Sequence, residues 1–217
     1  MKETRYIALF IALLLSFSAL AQKENQYFNY SAIGIKVGGN YSTIGLQPAV
    51  ANMIGEMSYT GGLVYAFSNK KNVGIQIEAL FSSRKWSEEF IDYNAQTELQ
   101  YVELPFMTNI NLGSGRFKYV INLGAYFALN INKNLSTDMP MNHEAYEALL
   151  ARKESNGDFG LLLGGALKYL SKVGIFQLDA RFTYGYQKIY KEEDTDFRYS
   201  NMSVISVGLI YMLNLRK

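Results

Sequence analysis

The sequence predicts an all-β protein, an eight-stranded antiparallel up-and-down transmembrane β-barrel, and three observations carry that prediction. Eight runs of residues alternate apolar with polar or small side chains at a period of two, most of them about ten residues long. That is the length a tilted strand needs to cross hydrocarbon, and it exceeds the five or six residues typical of soluble sheets. The connections between runs alternate short (68–72, 113–116, 170–173) and long (45–58, 85–98, 132–157, 187–201) without exception. An up-and-down membrane barrel has this pattern because its strands start and finish on one side, with tight turns there and free loops opposite, whereas an eight-stranded lipocalin lacks the strict alternation. Finally, an apolar leader precedes the runs, and no other stretch is apolar for long enough to cross as a helix, so insertion has to use strands.

The elements follow in order. Lys2 and Arg5 precede the apolar residues 6–20, and Ala19-Leu20-Ala21 before Gln22 has the small-x-small form of a cleavage site. Residues 1–21 are therefore expected as a cleaved secretion signal, and 22–217 as the barrel domain. Strand one sets Ile33, Ile35 and Val37 against Gly34, Lys36 and Gly38; strand two sets Tyr59, Leu63, Tyr65 and Phe67 against Thr60, Gly62 and Ala66. In strand three Val73, Ile75, Ile77, Ala79 and Phe81 oppose Gly74, Gln76, Glu78 and Ser82, and in strand four (99–112) Val102, Leu104, Phe106 and Ile110 oppose Tyr101, Glu103, Pro105 and Asn109. Pro105 lacks an N–H, so it is expected to mark a bulge or bend. Strand five carries Phe117, Tyr119, Ile121, Leu123 and Phe127 on the apolar face, and strand six Phe159, Leu161, Leu163 and Leu167. Strand seven carries Phe176, Leu178, Ala180, Phe182 and Tyr184 on that face.

Strand eight has Ile205, Val207, Leu209, Tyr211, Leu213 and Leu215 on one face and Ser206, Gly208 and Asn214 with Ile210 and Met212 on the other. Its Ser206, Gly208, Tyr211 and Leu213 look like the closing-strand signal of outer-membrane barrels: polar, x, Gly, x, x, aromatic, x, hydrophobic. Gln100-Tyr101-Val102-Glu103-Leu104-Pro105, Asp158-Phe159-Gly160-Leu161 and the run from Leu178 through Arg181 to Gly185 together resemble the porin-like outer-membrane β-barrel family abundant in Bacteroidetes. Phe182 stands where that family commonly has Tyr, and Asn214 to Lys217 extend past the usual aromatic terminus. The resemblance implies an eight-stranded barrel in the bacterial outer membrane. Its partners would be outer-membrane lipid and, through the C-terminal strand, the barrel-assembly machinery.

Composition narrows the function. Charged residues make up 18%, below the roughly 25% of soluble proteins, while aromatics reach 14% with 17 Tyr, which suits a lipid-facing wall between tyrosine-rich rims. A net charge of +2, with no Lys/Arg block among aromatics, leaves nucleic acid without an electrostatic footprint. Cysteine is absent, which excludes disulfides, thiolate metal sites, a Cys nucleophile and a lipidated Cys.

Strand parity turns Lys36, Glu78, Glu103, Lys118, Asp158, Lys168, Asp179 and Arg181 inward as a lumen polar network. An eight-stranded interior is just filled by side chains, so opposite charges are expected to pair there, with a gated conduit as the functional alternative. Glu103 is expected to pair with Lys118 across the short turn at 113–116. His143 is the one histidine, and a rim hydrolase would have to be built on it with Glu144 or Asp138; a solvated loop histidine is the plainer reading. No His, Asp or Glu cluster has metal-ligand spacing and no cofactor motif occurs, so an enzyme is not expected. Residues 142–153 place Ala145, Tyr146, Leu149 and Leu150 on one face of a short amphipathic helix, suited to capping the mouth or meeting a partner. Loop aromatics Trp86, Phe90, Tyr93, Tyr190, Phe197 and Tyr199 are expected in the outer girdle, or else in a sugar- or protein-binding surface. The expected function is a structural or surface-interaction barrel displaying long loops, with a small passive channel as the alternative.

Overall fold

Each run of alternating residues becomes a strand paired with its sequence neighbour. A computed structural model describes residues 30–48, 51–68, 72–90, 92–113, 115–140, 146, 152, 154–190 and 199–215. The leader, His143, Glu144, Phe197 and all of the expected 142–153 helix except Tyr146 and Arg152 lie outside the described residues. The strands are β1 (Tyr30–Gln47), β2 (Asn52–Ser68), β3 (Val73–Glu89), β4 (Asn94–Leu112), β5 (Phe117–Thr137), β6 (Gly157–Leu170), β7 (Ile175–Gly185) and β8 (Tyr199–Asn214). All pairs are antiparallel, and β8 returns to β1 to close the ring. At the seam the Leu215 amide also donates to the Ser31 carbonyl at 2.6 Å.

The registers fix the tilt. Directly paired residues lead from Lys168 through Gln177, Ile210, Lys36, Gly62, Leu80, Glu103 and Ala128 back to β6 at Asp158. The path arrives ten residues from its start, a shear of 10, and eight strands so staggered tilt by about 40°. Each strand residue then climbs about 2.5 Å along the barrel axis. Tyr119 and Phe127 on β5, like Phe176 and Tyr184 on β7, are eight residues apart, so the aromatic belts they occupy stand about 20 Å apart. Between the belts Ile35, Leu63, Phe106, Leu163, Leu178 and Leu209 face outward and exposed. An apolar face of this kind is stable only against lipid.

The strands are longer than the sequence pattern predicts. β1 runs to Gln47, β3 to Glu89 and β5 to Thr137, so most of the expected loops 45–58 and 85–98 is ladder. Beyond the outer belt the outward face turns polar, as at Glu56 and Ser87, and the apolar alternation stops while pairing continues. Pro105 is also not a bulge: it pairs in register with Tyr126, and the β4–β5 irregularity falls between Gln100 and Tyr101. Towards β3 the register is the same on both sides of Pro105, so the missing N–H removes ladder bonding without inserting a residue.

Candidate functional site

Inward parity brings charged residues from five strands to the barrel axis. Lys36 (β1), Glu78 (β3) and Asp179 and Arg181 (β7) form a ring of alternating sign. Lys36 Nζ lies 2.7 Å from Asp179 and 3.6 Å from Glu78; Arg181 grips Glu78 with both terminal nitrogens at 2.9 Å and Asp179 at 2.7 Å. Gln76 donates to Glu78 and Asn122 to Asp179, so the carboxylates also receive neutral donors. Planar, two-pronged arginine contacts make this arrangement rigid as well as neutral.

A second cluster stands nearer the outer end. Arg84 reaches Asp158 at 2.6 Å and Glu103 at 2.8 Å, lies over the rings of Tyr101 and Tyr126, and Tyr126 donates to Asp158 at 2.6 Å. Room for Tyr126 depends on Gly160, where an added Cβ would stand 1.9 Å from the Tyr184 carbonyl and 2.9 Å from the tyrosine ring. A gap of about 10 Å³ separates the two clusters, enough for about one water. At the periplasmic end Lys168 donates to the Tyr30 hydroxyl at 2.7 Å and to Asn111 at 3.4 Å.

Above the second cluster the lumen is apolar. Ile44, Trp86, Leu99, Met202 and Ile189 pack together, each at most 2% exposed. The segment after β7 enters the mouth: Ile189 bonds to Ser200 and accepts from Ser155, and Tyr190 donates to Glu88, which also meets Arg152 at 2.7 Å. Burial, and then the Glu88 carboxylate, push the Tyr190 phenol well above its ordinary range, with Arg152 acting against them.

Of the sequence-predicted residues, the structure unites Lys36, Glu78, Asp179 and Arg181 in the ring and Glu103 with Asp158 in the outer cluster. Lys168 stands apart at the base. Lys118 joins neither cluster and does not meet Glu103. It bonds the Gly113 carbonyl at 2.7 Å at the periplasmic rim, while Glu103 faces Ala128, ten residues further along β5 and about 33 Å away. A hairpin partner is set by register as well as by adjacency. The residue that sequence reasoning missed is Arg84: the parity of Gln76, Glu78 and Ser82 continues straight to it, but the expected strand stopped at Ser82. Trp86 and Tyr190 also leave the expected girdle for the lumen, and Phe90 stacks on Tyr93 at 4.3 Å at the strand tips. In the closing strand Ser206 faces inward, Gly208 packs on Lys36, Tyr211 donates to the Val173 carbonyl and Leu213 faces lipid.

A closed ring of eight strands, apolar outside and ion-paired within, defines a membrane-spanning β-barrel protein. The chain belongs to the family described as outer membrane protein beta-barrel domain, whose model matches residues 20–191. Three solved structures are similar to the chain. OprG of Pseudomonas aeruginosa aligns with a TM-score of 0.51 at 12% identity, covering 88% of this chain and 97% of that one. Ail of Yersinia pestis gives 0.45 at 12% identity over 85% and 99%, and outer membrane protein W of E. coli 0.37 at 11% over 81% and 96%. At 12% identity the likeness to OprG shows the fold alone. No curated protein matches the chain. The protein is located in the bacterial outer membrane, embedded in its lipid.

Proposed function

We propose that the protein is a non-conducting, non-enzymatic barrel of structural or surface-interaction type, which presents its outer side to the cell exterior. The observation that supports this reading is the succession of seals along the lumen: a neutral ring of four charges, a cluster around Arg84, and an apolar cap closed by Ile189 and Tyr190. An ion crossing would have to part salt bridges that bury both partners, each costing several kcal/mol when broken. The extended β2–β5 ladder, with Glu56, Ser87, Gln96 and Asn132 on its outward face, supplies the polar surface on display. The ring's four charged groups all engage one another, which leaves no free acid or base for chemistry.

Planar-bilayer recording tests the reading. Purified protein is expected to give no resolved conductance steps, and large, stable steps from the native protein would favour the passive channel. Two further parts of the proposal rest on strand motifs alone: membership of the Bacteroidetes-type branch of the family, and recognition of β8 by the barrel-assembly machinery. Removing residues 211–217 tests the second, since normal insertion of the shortened chain is incompatible with it.

A further inference from the structure

On the outer wall, side chains of β4 to β7 line a groove of about 630 Å³. Its floor is made by small side chains, Thr108 and Ala125. Phe106, Leu161, Leu163 and Phe182 rise beside it as ridges, all four at least 45% exposed. The groove starts near mid-wall, because Leu123 at its lower end lies halfway between Tyr119 and Phe127 of the two belts. It ends at Tyr184 and Tyr186, whose rings meet edge-on with centroids 5.6 Å apart, in the outer belt. The run therefore covers about half of the spanning band, on the outer-leaflet side.

We propose that this groove is a binding site for one acyl chain of an outer-leaflet lipid. Three observations on the wall select that occupant. The groove is continuous with the lipid-facing surface along its whole length, so hydrocarbon is the medium that reaches it, and an unfilled volume of this size would forfeit the dispersion contacts of every side chain lining it. It lies wholly within the outer half of the band between the belts, the half that the chains of one leaflet occupy. Its lining within the hydrocarbon is apolar apart from Thr108, while the phenols stand at the outer end, where a lipid passes from chain to headgroup. Small floor residues bring the chain against the backbone and let the ridges hold it from both sides, so it exchanges more slowly than lipid around the rest of the barrel.

The test uses the full barrel in nanodiscs containing a phospholipid with a photoactivatable diazirine in its acyl chain. After irradiation and peptide mapping, adducts are expected to be several-fold more abundant on the strands bearing Ala125, Leu161 and Phe182 than at matched depth between Tyr59 and Leu63 of β2 on the far wall. Ala125→Phe fills the floor and should reduce groove labelling to the far-wall level. Thr108→Leu provides the same comparison should Ala125→Phe not fold, folding being read by heat-modifiable gel mobility. Even labelling around the wall, or groove labelling unchanged in a folded variant, overturns the proposal. So does cysteine cross-linking between two copies through positions 161 and 182 (Leu161→Cys, Phe182→Cys), since a second barrel would then occupy the groove.

Discussion

Arg84 is 1% exposed and touches two carboxylates and two aromatic rings, so its removal leaves Glu103 and Asp158 buried without their cation. Arg84→Met is expected to cost about 3–5 kcal/mol, seen as a lower temperature for loss of heat-modifiable gel mobility, with insertion intact. Glu103→Gln keeps the shape and half of the pairing, because Asp158 still holds Arg84, and should cost about 1–3 kcal/mol. A double-mutant cycle separates the candidate partners: Glu103→Gln should couple to Arg84→Met and be additive with Lys118→Met. Coupling to Lys118 would refute the pairing described for the outer cluster. At the mouth, Tyr190 titrates above the ordinary phenol value in the folded state. Folding therefore favours the neutral form, and this contribution is complete below about pH 10 and lost as the pH rises beyond it. Tyr190→Phe should make the fall in melting temperature above about pH 10 shallower than in the parent protein.

Among the elements, β8 carries the closure. Gly208 sits where Lys36 crosses the lumen: a Cβ there would stand 2.9 Å from Lys36 Cε and 3.1 Å from the Val37 carbonyl. Gly208→Val should thus displace the ring lysine and lower the melting temperature, whereas Ser206→Ala, at a roomier inward position, should change it little. Strand count, order and facing were legible in the sequence because outward side chains inside the membrane have to be apolar, and that writes period two over eight runs. The ends were not legible, because outside the membrane only the inward half of the pattern survives, at Ile44, Trp86 and Leu99. The same effect concealed Arg84, which lies in that overhang. Lys118 misled for a different reason. Parity gives the face on which a side chain stands but not its height, and height follows from the shear, which depends on all eight registers at once.

On the scale of the whole molecule, four cations (Lys36, Arg84, Lys168, Arg181) and four carboxylates (Glu78, Glu103, Asp158, Asp179) are buried between Tyr30 and the apolar cap. Their formal charges cancel overall but not locally. The ring is neutral, the Arg84 cluster carries one excess negative charge, and Lys168 carries the matching positive charge near the opposite end. Lys168→Met should therefore leave the ring undisturbed, and a melting temperature within a few degrees of the parent is the expected measurement. Loss of insertion would instead assign Lys168 a part in closing the barrel. Up-and-down order has another effect, on connectivity. Among the described residues, seven of the eight interstrand ladders join neighbours in sequence, and the eighth, the β1–β8 seam, joins the first strand to the last, with Ser31 and Leu215 hydrogen-bonded to each other there. A short linker could therefore fuse the two termini while new ones are opened in the connection between β5 and β6. Such a circular permutant would convert the seam into an ordinary hairpin and make β5–β6 the distant pairing, and when refolded into detergent, without the assembly machinery, the barrel should still form around the same lumen.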